Sequence, residues 1–323
     1  MILKNSFGGL YKVPSDFSPT LVIVCGATAT GKTEVAFELA KGLKTEIISF
    51  DSVQVYKEFN IGAAKPSLEL RRVIPHHLVD EIDPPTSFSA GDFRKRALEE
   101  ILKLSNKEYV VLVGGTGFYL QALLNGMYST SIIDPKFKEE LLIDAKRVGM
   151  PKLFEELKKR DSEYAAKIHP NDTYRILRGL EVLRSGVASL SQMKSDFKPQ
   201  PITNEIVQFG LRRKKDILRE AIQNRAEYMV SGGLLGEARS LLEKYPRALR
   251  PLESVGYKEA VKCILGELPI EELIPSIVRS TLQLAKRQST WFKRDEKIHW
   301  LDTDELGVLG VVKSISSSLD KSR

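Results

Sequence analysis

Apolar and polar positions change period several times along the chain, and each change marks an element. Residues 21–25 are a short β-branched run that ends in a glycine-rich stretch, the pattern of a buried strand. In the next segment, 34–43, apolar residues fall at Val35, Ala36, Leu39, Ala40 and Leu43, a helical spacing. Segments 46–50 and 109–113 read as further strands, with a helix over 90–104 between them. Strands alternating with helices imply a parallel sheet covered on both faces. Around residue 134 the character changes: 134–147, 151–160, 162–168 and 172–185 are charged amphipathic helix patterns with no strand among them. Segment 194–203 is polar, contains Pro199 and Pro201, and reads as a connection. A strand pattern returns at 206–211, and three long helical patterns follow to about residue 294. The expected fold class is α/β: a parallel-sheet core with its first part at 20–130 and its second at 203–315, interrupted by a helical insertion domain at 131–202.

Composition narrows the class further. With 42% hydrophobic and 28% charged residues over 323 positions, the chain has the balance of a folded globular protein. No run approaches the roughly 18 apolar residues that span a bilayer. The first residues, MILKNSFGGLYKVP, lack the apolar core and cleavage site of a signal peptide. A cytoplasmic protein without a membrane partner is expected. Of the two cysteines, Cys25 falls inside the first strand pattern and reads as a buried structural thiol. Neither it nor Cys263 has a second ligand at metal-binding spacing, so no zinc site is expected. The net charge of +7 favours an anionic partner. Much of the excess lies in 205–300, at Arg212, Arg213, Lys214, Lys215, Arg219 and Arg225, and again at Lys286, Arg287, Lys293 and Arg294.

The sharpest local signal is Gly26-Ala27-Thr28-Ala29-Thr30-Gly31-Lys32-Thr33, a complete G-x-x-x-x-G-K-[ST] between a strand and a helix. The glycines let the backbone curl so that successive N–H groups face one anion, and the following helix adds its positive end. Lys32 supplies a mobile charge, and the Thr33 hydroxyl can complete a Mg2+ shell that phosphate oxygens and water share. Such a P-loop specifies a diphosphate or triphosphate, not a reaction. No N-K-x-D signature of a GTPase is present, and the strand at 110–113 runs into Gly114-Gly115-Thr116 rather than ending in an acid. Asp51 follows the apolar run 47–50, at the end of a strand where ligand crevices of open α/β sheets lie. It can act as a proton acceptor or metal-water ligand, or equally cap a turn with Ser52. Gly114-Gly115-Thr116-Gly117 offers donors to the same crevice, or is a plain tight turn.

Taken together these segments resemble the tRNA dimethylallyltransferases, also called tRNA isopentenyltransferases, of bacterial type. The matching pieces are GATATGKT at 26–33, ISFDSVQVYK at 48–57, IGAAKP at 61–66 and PHHLVD at 75–80. They continue with FSAGDF at 88–93, VGGTGFYLQALLNG at 113–126, IHPND at 168–172, VGYKE at 255–259 and AKRQSTWF at 285–292. They occur in order and cover roughly 20–300. At 61–64 the chain reads Ile-Gly-Ala-Ala where many relatives carry Thr in the third place, and the C-terminal zinc finger of eukaryotic relatives has no counterpart.

The resemblance implies a P-loop NTPase-like core and prenyl transfer from dimethylallyl diphosphate to the exocyclic amine of the adenosine 3′ to the anticodon. It assigns Asp51 as general base, and Lys32, Thr33 and Arg225 as partners of the leaving diphosphate, with Mg2+ on the Thr33 hydroxyl. Residues 26–33 hold the diphosphate. Ser52, Val53 and Gln54 line the adenine site with Asp51, and Thr116 contacts RNA. From the insertion, Lys138, Asp172, Thr173, Tyr174, Arg175 and Arg178 meet the tRNA anticodon stem-loop. Gly256, Tyr257, Lys258, Lys286 and Arg287 contribute from the second core segment, with Trp291 and Phe292 interleaved among the basic residues. A monomer is expected. Prenylation of free adenine nucleotides and a P-loop small-molecule kinase are the rival activities. The long insertion and the basic second half speak against the former, since a mononucleotide needs neither.

Overall fold

Residues 21–25 carry nothing that asks for water, and the fold is organised around them. The computed structural model describes residues 2–4, 10–12, 19–128, 135–186, 188–202 and 204–321. A short antiparallel pair, β1 (Ile2–Lys4) and β2 (Leu10–Lys12), comes first. Then follow β3 (Thr20–Gly26), α1 (Lys32–Gly42), β4 (Ile47–Ser49), α2 (Leu68–Val73) and β5 (His76–His77). Next are α3 (Ala90–Lys103), β6 (Tyr109–Gly114) and α4 (Gly117–Asn125). These strands join β7 (Ile206–Arg212) and β8 (Ile298–Asp302) in a six-stranded sheet of order β5-β4-β6-β3-β7-β8, with every neighbouring pair parallel.

β3 lies between β6 and β7, with Leu21 opposite Val110 on one side and Ile206 on the other. Leu21 through Cys25 are completely buried, which is why they read as an unbroken apolar run rather than an alternating one. Burial also pushes the Cys25 thiol up to about 12, so it is an inert core group. One face of the sheet is covered by α1, through Val35, Ala36, Leu39 and Ala40, and by the C-terminal helix through Val311, Ile315 and Leu319. The chain leaves β3 toward β4, and after the long excursion behind β6 it returns to β7 on the other side. That reversal opens a crevice at the strand ends beside β3.

Two compact units result: residues 1–124 with 202–323, and Asn125–Pro201. The expected start of the insertion, 131–134, lies outside the described residues, as does Thr203. The helical unit contains α5 (Pro135–Val148), α6 (Met150–Arg160), α7 (Ser162–Ala165), α8 (Thr173–Arg184) and α9 (Leu190–Asp196). Its own core is built from Leu141, Leu153, Leu157, Ile176 and Leu180. At Gly179 a Cβ would stand 2.8 Å from Leu157, so the glycine permits the close approach of α8 and α6. Arg184 ties three helices together by bonding Asp144 at 2.7 Å and Glu156 at 3.1 Å. At its ends the chain runs past itself: Gln200 N–H donates to the Asn125 carbonyl at 2.8 Å, and Ile202 N–H to the Leu124 carbonyl at 3.2 Å.

Several elements depart from the sequence pattern. The expected helix 162–168 is a single turn, and the expected connection 194–203 begins inside α9, whose first turn is capped by Ser189. The three long helical patterns resolve into α10 (Lys215–Ser231), α11 (Leu234–Lys244), α12 (Tyr257–Ile264) and α13 (Leu273–Phe292). β8 follows the last expected helix, and α14 (Thr303–Lys321) carries the core past the expected limit at 315. Of β8 only Ile298 is buried, which leaves too little alternation to announce a strand.

Asp161 is 5% exposed and holds the turn between α6 and α9: it accepts from Tyr164 N–H at 3.1 Å and from Ser191 N–H at 3.1 Å. Asp161→Ala leaves those donors without an acceptor and is expected to cost about 1–3 kcal/mol of stability. Hydrogen exchange should register the loss in 125–201 and leave protection of β3 and β6 unchanged.

Candidate active site

The P-loop follows from the end of β3. Gly26 sits at φ +140°, and a Cβ there would stand 2.5 Å from the Leu211 carbonyl of the neighbouring strand. Gly31, at φ +86°, is the N-cap of α1 and carries no side-chain cap. The first N–H groups of α1 are therefore open to an external acceptor. Thr30 is buried and spends its hydroxyl on the Ala27 carbonyl at 2.8 Å. Gly26, Ala27, Ala29, Thr30 and Gly31 thus shape the loop through their backbone, while Thr28, Lys32 and Thr33 line a cavity of about 150 Å³.

Charge in that cavity is lopsided. Lys32 donates to the Ala27 carbonyl and meets no carboxylate at ion-pair distance among the described residues. Burial, and then the Arg225 charge, hold its ammonium down to about 8. Arg225, on α10, is likewise desolvated and its pKa lowered, and it too has no ion pair among the described residues. Asp51 and Glu34 act on both cations only at a distance. Two enclosed cations that face one cavity without a counter-ion form a receptor for an anion.

Asp51, at the end of β4, has both features that its position suggested. Oδ1 accepts Val53 N–H at 2.8 Å and Gln54 N–H at 3.2 Å, which makes a capped turn. The turn locks the carboxyl orientation, and Oδ2 has no hydrogen-bond partner among the described residues. Asp51 lines the same cavity as Lys32 and Arg225. Thr33 offers a hydroxyl and Asp51 an oxygen there, hard ligands that suit Mg2+ once phosphate oxygens and water complete its shell. Among the described residues no cluster of three or more acidic, His or Cys side chains could hold a metal by itself.

The second glycine turn is shaped by α13. A Cβ on Gly115 would strike the Gln288 amide at 2.3 Å, and one on Gly117 would strike Trp291 at 2.2 Å. Gln288 donates to the Gly115 carbonyl at 3.1 Å and accepts from Thr28 N–H at 2.8 Å, joining this turn to the P-loop. Sequence reasoning missed Gln288; the signal available was one side-chain amide amid the basic positions of 285–294. Thr116 accepts Ser52 N–H at 3.2 Å and so supports the turn after β4.

Four segments close the cavity. Residues 62–64 and 254–255 contribute loops, while Met229 from α10 and Ile277, Thr281 and Leu284 from α13 contribute side chains. Met229 lies one helical turn beyond Arg225, and Leu284 and Ile277 one and three turns from Gln288. The cavity therefore grades from a cationic P-loop end to an apolar far end. Gln54 and Val53 line it, and the Gln54 amide donates to the Ala63 and Ala64 carbonyls at 3.2 and 3.1 Å.

The remaining expected contacts divide. Lys258, Lys286, Arg287 and Trp291 are exposed in the first unit, and Lys138, Thr173, Tyr174 and Arg175 are exposed in the helical unit. Asp172 caps α8 through Arg175 N–H at 3.1 Å, and Arg178 pairs with Glu181 at 2.6 Å. Tyr257 departs from expectation. Its side chain is fully buried, edge-on to Phe59, and its hydroxyl donates to Glu237, so the ring packs inward rather than standing on the surface. Gly256, also buried, serves the same packing at φ +96°. Phe292 is core rather than surface.

A parallel sheet, a P-loop and an anion receptor opening onto an apolar wall define a P-loop enzyme that handles a phosphorylated substrate. The chain belongs to the IPP transferase family, whose model matches residues 54–295. It is 39% identical over 287 residues to "tRNA dimethylallyltransferase 2" of Geotalea uraniireducens, covering 88% of this chain and 93% of that protein. A second relative, from Desulforudis audaxviator and named tRNA dimethylallyltransferase, is 38% identical over 308 residues, covering 94% and 98%. Among solved structures, the tRNA delta(2)-isopentenylpyrophosphate transferase of Staphylococcus epidermidis aligns with a TM-score of 0.68 at 34% identity, covering 94% of this chain and 99% of that one. A eukaryotic dimethylallyltransferase described as acting on tRNA aligns with a TM-score of 0.73 at 26% identity, covering 88% and 74%.

The Lys32 ammonium carries a prediction. An anion in the cavity raises its pKa, so the free protein binds the anion best below about pH 8, where Lys32 is already charged. Above that pH, binding must take up a proton, and affinity falls. Calorimetry with inorganic pyrophosphate between about pH 7 and pH 9.5, in buffers of differing ionisation enthalpy, reads this proton uptake directly. Lys32→Arg should keep binding and lose the added pH slope; an equal slope in that variant would contradict the assignment.

Proposed function

We propose that the chain transfers the dimethylallyl group of dimethylallyl diphosphate to the exocyclic amine of the adenosine 3′ to the anticodon in tRNA. The observation that carries this reading is the pair of unpaired, desolvated cations, Lys32 and Arg225, in one cavity with Asp51 and an apolar wall. The diphosphate rests against the P-loop amides, Lys32, Arg225 and the Thr33 hydroxyl. The dimethylallyl tail points along Met229, Leu284 and Ile277. A new bond forms between the amine nitrogen and the allylic carbon. The carbon–oxygen bond to the diphosphate breaks, and its electron pair leaves on pyrophosphate. The amine proton passes to Asp51 Oδ2. Mg2+ held by the Thr33 hydroxyl, and by Asp51 through water, would supply added charge neutralisation on the departing diphosphate.

Pre-arranged donors count most where charge develops, which is on the leaving group. Asp51 arrives oriented because its other oxygen is committed to the turn. The enclosed apolar end keeps water from the allylic carbon, which would otherwise be lost as the alcohol. The anticodon loop is single-stranded, so its bases can be splayed out and stacked on aromatic rings. Phe118 and Trp291 form an exposed edge-to-face pair beside Lys286 and Arg287 and suit that purpose. In the helical unit, Tyr174 is 71% exposed and stands with Thr173, Arg175 and Lys138 as its RNA-facing set. Among the described residues, no helix is long and apolar enough to cross a membrane.

Incubation with Mg2+, labelled dimethylallyl diphosphate and either an anticodon stem-loop or AMP tests the reading. Label should enter the stem-loop alone and disappear when the loop adenosine is replaced. Label in AMP would keep the chemistry and move the substrate to free nucleotides, and phosphoryl transfer from labelled ATP would replace the reaction class. Asp51→Ala should lower turnover by about 10²–10⁴-fold with stem-loop affinity little changed, the usual share of a general base. A loss confined to RNA binding would make Asp51 a binding group instead.

A further inference from the structure

Glu237, on α11, lies outside the residues lining the cavity, yet its carboxylate collects an unusual set of donors. It accepts N–H groups from three consecutive residues: Asn60 at 3.1 Å, Ile61 at 3.0 Å and Gly62 at 3.2 Å. The buried Tyr257 hydroxyl donates to the same carboxylate. Consecutive backbone N–H groups that converge on one point form an anion-binding nest, and here a side chain of the same protein occupies it.

The next residues of that loop are cavity wall. Gly62, Ala63 and Ala64 line the cavity together with Met229 and Ile277. Behind Gly62 there is no slack, since a Cβ there would stand 2.5 Å from the Tyr257 ring. From the other side the Gln54 amide holds the Ala63 and Ala64 carbonyls. Residues 60–64 are thus gripped by their N–H groups at one end and their carbonyls at the other. Of the two grips, Glu237 is a carboxyl group and Gln54 a neutral amide, and charge-assisted bonds are the stronger kind.

We propose that Glu237 is a positioning residue that fixes the 60–64 loop, and with it Gly62 and Tyr257, at the distance the dimethylallyl tail requires. The proposal rests on the prenyl-transfer reading of the cavity. Glu237→Gln keeps the side-chain volume but turns an amide donor toward backbone donors, so the loop loses part of its acceptor. The P-loop end is untouched. The effect should therefore separate the two ends of the ligand: affinity for the tail falls while affinity for the diphosphate stays.

Equilibrium binding of dimethylallyl diphosphate and of inorganic pyrophosphate, each with Mg2+, reads this difference. Glu237→Gln is expected to weaken dimethylallyl diphosphate about ten-fold, close to 1.4 kcal/mol, and pyrophosphate less than about two-fold. In turnover the same variant should raise KM for dimethylallyl diphosphate far more than it lowers kcat. Glu58→Gln serves as control, because Glu58 lies before that loop and its carboxylate bonds Lys244 and Tyr245 at the end of α11, not residues 60–64 or the cavity. It should leave both affinities unchanged. Should Glu237→Gln fold poorly, Tyr257→Phe removes one donor from the carboxylate and keeps the ring, and a loss of about two- to three-fold for the prenyl ligand alone is expected. Equal losses for both ligands, no loss for either, or a matching loss in Glu58→Gln would overturn the proposal. Wild-type protein that binds the two ligands equally would instead defeat the prenyl reading itself.

Discussion

Two partly buried cations with no carboxylate at ion-pair distance among the described residues are the constraint on which the rest of this structure turns. Left to themselves, Lys32 and Arg225 would move apart, and the fold prevents it. Lys32 is fixed at the start of α1, whose N-terminal position is set by Gly31 and by the close pairing of β3 with β7. Arg225 is fixed by α10, which packs along α13. The depressed pKa values of both record the cost of that arrangement. A site whose cations are already largely desolvated in the free state needs little reorganisation when an anion arrives.

Neutral contacts keep the frame rigid around this strained centre. Gln288 links the P-loop to the second glycine turn, and Thr116 links that turn to the residues after Asp51. Three separate strand ends, those of β3, β4 and β6, are therefore laced together by hydrogen bonds that involve no charge. A displacement of α13 would be felt at the P-loop amide of Thr28 and at Asp51 alike. The glycines at 115 and 117 are needed because α13 presses so closely on the turn, which settles why a glycine-rich segment stands there.

Much of this was legible in the sequence where the signal is local. The strand β3 announces itself by five consecutive buried apolar residues, and the P-loop by a motif whose residue types each have a physical reason. Asp51 was legible as a candidate, but its double use was not, because turn capping and an open second oxygen are indistinguishable in the letters. The family resemblance supplied Arg225, which no local pattern would have chosen from among so many basic residues. Contacts made over long separations stayed hidden. Glu237 and Gly62 lie on different elements, and Gln288 reaches the Gly115 carbonyl from the far end of the chain. Tyr257 was misread for a related reason. The letters VGYKE mark a recurring segment, yet only packing against Phe59 and Glu237 tells that the ring faces inward.

The helical unit is entered and left at a single point, where Asn125 meets Gln200 and Leu124 meets Ile202. This bears on the order in which the chain can assemble. Bringing Ile202 back to Leu124, and with it β7 to the sheet, must close a gap that is the whole of 125–201, and closing a flexible loop costs entropy that grows with the logarithm of its length. Once the helices have condensed around Leu157 and Leu180, the two ends of the unit are already side by side. The effective loop then shrinks from about 80 residues to a few, which lowers the closure cost by about 2–3 kcal/mol. A module placed in this way acts as a clasp on its own two ends, and so eases closure of the central sheet.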